Sequence, residues 1–140
     1  MTIAAIRMTG KVGVNPDIKT AFQRLGMLKK YACVLIQEND STKGMIVQLE
    51  NFMSYGKIDK EMLKELLIKR GRMPGDNPIK GDAGKMADEI LAGKSLKELG
   101  LKPFFRLHPA RGGIVTKHHY PRGVLGNNKE DFAKLLGRML

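Results

Sequence analysis

The sequence predicts an α/β (α+β) fold: a β-α-β-α-β core over residues 1–58 with a small sheet, then a helical and β-hairpin extension over residues 59–140 packed with that core as one unit. Three patterns carry this. An apolar run at 31–36, Tyr31-Ala32-Cys33-Val34-Leu35-Ile36, breaks into the polar elbow Asn39-Asp40-Ser41-Thr42, and apolar residues then return at helical spacing. Upstream, Asn15-Pro16-Asp17 places a cap, a proline and an acid where a helix begins. Downstream, Gly112-Gly113 sits between two short extended runs, as a tight hairpin requires.

In chain order, residues 2–8 read as a first strand in which Ile3, Ala5 and Arg7 alternate with Ala4, Ile6 and Met8. Residues 10–14 read as a flexible basic link. In the first helix Ile18, Ala21, Phe22 and Leu25 form a narrow inner stripe up to Gly26, and Lys19, Gln23 and Arg24 lie opposite. After the strand at 31–36, Met45, Ile46, Leu49, Phe52 and Met53 line a second helix, with a stop at Gly56 and a short extended piece around 54–58. Over residues 1–58 this order puts the helices on one side of the sheet.

Asp59 caps a third helix with Met62, Leu63, Leu66 and Leu67 inward, closed by Gly71. Residues 72–84, rich in Pro and Gly, read as a loop and candidate hinge. Residues 85–91 and 95–99 read as short helices, the second with Ser95 and Glu98 as a capping box. Strands are expected at 104–108 and 114–118, an irregular run at 120–128, and a last helix capped by Asn128 with Phe132, Leu135, Leu136 and Met139 inward.

Charge is the strongest compositional signal. The chain carries 25 Lys and Arg against 14 Asp and Glu, a net +11. Residues 1–30 hold six basic side chains and one acidic, residues 102–128 five and none, so these two stretches supply +10 of the excess. Such confinement predicts a polyanion-binding surface. The candidate contacts are Lys11, Lys19, Arg24, Lys29 and Lys30 in the first stretch, and Arg106, His108, Arg111, Lys117, His118 and Arg122 in the second. In the second they interleave with Phe104, Phe105, His119 and Tyr120, flat groups able to stack on bases or ribose. The competing view makes Phe104, Phe105 and Tyr120 core residues and the charges mere solvation.

Other chemistry finds little footing. The elbow at Ser41-Thr42 invites an anion at a helix N-terminus, and it leaves open a small α/β domain that binds an anionic metabolite in a regulatory or enzymatic role. Gly44, however, follows Lys43 with no second glycine nearby, so there is no P-loop, and a helix cap accounts for the same residues. His108, His118 and His119 lack further ligands at metal spacing, and Cys33, the single cysteine, lies in an apolar run. No nucleophile elbow is present and the paired carboxylates fall on solvated helix faces. No cofactor and no small-molecule substrate are expected. With no membrane-length apolar run and no secretory signal pattern, a soluble intracellular protein is expected.

The strand, the Asn15-Pro16-Asp17 helix, the strand at 31–37 and Asp40-Ser41-Thr42-Lys43-Gly44-Met45 together resemble the large-subunit ribosomal protein family called L-thirty, in its longer archaeal type related to eukaryotic L-seven. Further likeness rests on Tyr55-Gly56-Lys57-Ile58-Asp59, Leu66-Leu67-Ile68-Lys69-Arg70-Gly71-Arg72, Phe105-Arg106-Leu107-His108-Pro109-Ala110-Arg111-Gly112-Gly113 and Gly123-Val124-Leu125-Gly126-Asn127. Tyr55 stands where the family more often has Trp or another aromatic. The resemblance implies an antiparallel three-stranded sheet in the core and a structural, non-catalytic role in the cytoplasmic ribosome. It implies large-subunit ribosomal RNA and neighbouring ribosomal proteins as partners, and no membrane.

Overall fold

The computed structural model describes residues 2–8, 10, 15–37, 39–73, 77–78, 82–93, 100, 104–108, 125–127 and 131–139. Its centre is β1 (Thr2–Arg7), which pairs antiparallel with β2 (Ala32–Gln37) on one side and with β3 (Met53–Lys57) on the other. Ile3 lies opposite both Ile36 and Lys57. The three-stranded antiparallel core is therefore present, and it is extended at both edges. On the outer side of β2 runs β6 (Phe105–Arg106), antiparallel, and beside β3 runs β7 (Gly126–Asn127), parallel, giving the order β6-β2-β1-β3-β7.

A strand with partners on both edges is stable when its side chains suit both layers above and below it. From Ile3 to Met8 every residue of this segment is buried. Ile3 and Ala5 point with Val34 and Ile36 into a core closed by α1 (Pro16–Leu25) and α2 (Asp40–Leu49). Ala4, Ile6 and Met8 point with Cys33 into a second core, closed by α3 (Lys60–Arg70), α4 (Ala83–Leu91) and α5 (Phe132–Met139). The helices of residues 1–58 do lie on one side, but the sheet is covered on both, because the later helices supply the second layer. The strand alternates between two apolar faces.

Most helix boundaries follow their capping chemistry. Asn15 accepts from Asp17 N at 2.9 Å, Asp59 from Met62 N at 2.8 Å, and Asp82 from Gly84 N at 2.9 Å. The last of these starts α4 at Ala83, two residues before the expected 85. The second helix is shorter than its apolar spacing suggests. It ends at Leu49; a turn in which Phe52 N donates to Leu49 O at 2.8 Å follows, and Met53 opens β3 opposite Arg7. Phe52 and Met53 repeat the helical spacing by coincidence, since an apolar residue three or four positions on serves equally as the inner face of a strand.

Two stretches expected to be irregular contain strands. Within 72–84, β4 (Arg72–Met73) and β5 (Asn77–Pro78) form a separate antiparallel ribbon. Within 120–128, β7 pairs with β3, Gly126 adopting a φ of 81° there. Such two-residue strands are recruited by a neighbouring edge and leave no periodic trace. The expected link at 11–14, helix at 95–99 and strand at 114–118, and with it the hairpin, lie outside the described residues, as does Asn128.

Candidate nucleic-acid interface

The described part of the basic surface is built where α1 runs out. Burial of Ala21 and Phe22 fixes the rotation of α1, leaving Lys19 and Arg24 exposed on its outer side. Gly26 closes the helix in the left-handed conformation, φ 84°, and Met27 N donates back to Phe22 O at 2.9 Å. Met27 then turns inward and Leu28, Lys29 and Lys30 are left on the surface, Leu28 51% exposed.

Tyr31 and Arg7 hold this connection to the sheet. Tyr31, with a left-handed φ of 65°, donates through its N–H to Arg7 O at 2.7 Å and accepts through its carbonyl from Leu107 N at 3.2 Å. Arg7 Nη1 donates to Met27 O at 2.8 Å, and Nη2 to Gly10 O at 3.2 Å. The Arg7 guanidinium also lies 4.3 Å from the centre of the Phe22 ring. Its burial lowers the pKa from the ordinary arginine value, yet a guanidinium of such high basicity keeps its charge. Arg7 looks from the sequence like one more strand position; the signal was a cation at an inward position, which demands buried acceptors.

The second basic stretch joins here. Because β6 pairs with β2, Arg106 stands opposite Ala32, two residues from Lys30, and shares with Lys29 the walls of one small slot. Segments remote in sequence thus meet at one edge. Alternation along β6 sends Phe104 and Arg106 to the α1 side and Phe105 and Leu107 to the other core. Phe105, 1% exposed, is a core residue and cannot stack on a base, which corrects the aromatic expectation at that position. Phe104 is half-buried, with the Arg106 guanidinium 5.5 Å from its ring centre. His108 is half-buried and its backbone N–H donates to Met139 O at 3.1 Å. Lys11, Arg111, Lys117, His118, Arg122, His119 and Tyr120 lie outside the described residues.

The elbow before α2 is occupied by its own cap. Thr42 N donates to Asn39 Oδ1 and Asn39 N to Thr42 Oγ1, both at 2.9 Å, while Thr42 Oγ1 donates to Gln37 O at 2.8 Å. Cys33 is fully buried, and desolvation pushes its pKa up to about 12, so it holds no thiolate at neutral pH. Among the described residues no three His, Cys, Asp or Glu side chains gather as metal ligands, and no helix is long and apolar enough to cross a membrane.

Fold and edge together define a small basic α/β protein whose described candidate cations lie along α1, its connection to β2, and β6. No protein-family model matches the chain. It is 41% identical to the large ribosomal subunit protein uL30 of Archaeoglobus fulgidus, over 97% of this chain and 98% of that one. To the protein of the same name from Methanococcus vannielii it is 36% identical over the whole of both chains, and to that of Aeropyrum pernix 32% over 98% of each. The chain belongs to the large ribosomal subunit protein uL30 family.

Proposed function

We propose that this chain is a structural constituent of the large ribosomal subunit that binds and stabilises folded ribosomal RNA, beside neighbouring ribosomal proteins, through the basic edge formed by the α1–β2 connection and β6. Family membership supports the ribosomal role. The observation that carries the RNA contact is the pairing of β6 with β2, which sets Arg106 opposite Ala32 and beside Lys29. Cations gathered this way neutralise phosphates where RNA strands crowd, and the folded shape of the RNA supplies the selectivity. Exposed Lys19 and Arg24 extend the surface along α1. Lys11, Arg111, Lys117, His118 and Arg122 belong to the same proposal by their charge and place in the sequence, with His108 at the foot of the edge. The metabolite-site alternative draws less support, since the Thr42 hydroxyl it would use is already engaged with Gln37 and Asn39.

The test is a variant carrying Lys29→Gln, Lys30→Gln and Arg106→Gln, measured against large-subunit RNA fragments over a salt series. These residues are exposed, so melting should match the parent. Loss of three phosphate contacts should flatten the slope of log K against log salt by roughly 2 to 3, at about 0.7–0.9 per contact. An unchanged affinity and slope would remove this edge from the RNA contact.

A further inference from the structure

We infer that the basic edge seats one unstacked nucleotide base, in the slot between the α1–β2 connection and β6. The inference rests on the RNA-binding proposal and specifies the partner: RNA with an extruded base, as at a bulge or loop, in preference to unbroken duplex. The slot measures about 60 Å³ and is lined by Gly26, Leu28, Lys29, Ala32, Phe104 and Arg106. Among the described residues its walls are apolar apart from the two cations, and no acidic side chain lines it. That combination suits a nucleotide, whose flat ring is apolar on both faces and whose phosphates lie one sugar away from it. A duplex would offer phosphates to Lys29 and Arg106 and leave the apolar walls uncovered, because its bases are stacked inside.

Local details agree. Leu28 is 51% exposed although Met27 beside it is fully buried, so an aliphatic wall stands open at the rim of the slot. Among the described residues, apart from its own chain neighbours, none comes within 4 Å of the place a Cβ would take on Gly26, which leaves room along the backbone. The Arg106 guanidinium, 5.5 Å from the centre of the Phe104 ring, already forms one layer of a stack that a base can continue. At about 60 Å³ the slot is smaller than a pyrimidine ring, so it takes part of one base and no second, with the rest of the ring at the open rim beside Leu28.

Three RNAs test this with the full chain: a hairpin duplex, the same hairpin with one bulged uridine, and the same bulge with an abasic nucleotide. The bulged uridine should bind roughly tenfold tighter than the other two, the effect of about one base–aromatic stack. Phe104→Ala and, independently, Leu28→Ser should erase that preference while leaving affinity for the unbroken duplex unchanged. Leu28 is exposed, so its variant keeps the fold even if loss of the Phe104 ring loosens the edge. Equal affinity for uridine and abasic bulges overturns the slot and leaves the RNA-binding proposal standing. Failure to bind any of the three overturns both.

Discussion

Gly56 shows how a single atom decides a packing distance. It lies on β3 beneath α5, and a Cβ built there would stand 2.6 Å from Phe132 Cβ and 2.8 Å from its Cγ. Both are the inner atoms of a side chain that is 1% exposed, so neither can swing away. Gly56→Ala should therefore cost about 1–3 kcal/mol, as overpacking does, and lower the melting temperature by several degrees. A variant that melts like the parent would mean that α5 shifts off the sheet without cost. From the sequence Gly56 reads as a helix stop. Its actual role depends on a residue 76 positions away, and no local pattern carries that. Arg7 is similar, because its buried acceptor, Met27 O, is set by how the chain returns after α1.

At the scale of elements, local chemistry speaks clearly. The Asn39–Thr42 capping box sets the start of α2, with the Thr42 hydroxyl also tied to the end of β2 through Gln37 O. Asn39→Ala should remove about 1 kcal/mol of stability, Asn39→Asp very little, since a carboxylate accepts the same N–H. Thermal melting of the two variants separates them, and equal losses would show that the cap contributes through something other than its accepted hydrogen bond. The starts of α1, α2 and α3 were all legible, each from a cap side chain a residue or so before the first turn. The end of α2 was not, because apolar periodicity cannot tell another helical turn from the first residues of a buried strand.

For the whole molecule, the sheet is the partition between two cores. Leu49 fills the one under α1 and α2, and Leu66 the one under α3 to α5, both fully buried. Each truncation to Ala should cost about 2–5 kcal/mol. We propose that residues 1–58 and 59–140 unfold as one unit, because β1 contributes alternate side chains to both cores. Amide exchange in Leu49→Ala should then lose protection in α5 as well as in α1, and Leu66→Ala should do the converse. If Leu49→Ala loosened only the α1 and α2 side, the two halves would be separate units.

By itself the sequence determined the order of the core elements, the caps that open α1, α2 and α3, the inward stripes of α1, α3 and α5, and the two segments that hold the excess positive charge. These are properties of neighbouring residues, expressed through hydrogen bonds and periodicities spanning a few positions. Only the tertiary structure decided that the sheet is covered on both faces, that β6 and β7 extend its edges, and that Phe104 faces the basic edge while Phe105 enters the core. It also decided that Arg106 stands beside Lys29. Those facts depend on which distant strand a short segment pairs with, and a two-residue strand carries too little pattern to name its partner. Side-chain alternation then converts that one pairing into the choice of which residues meet solvent and which are buried.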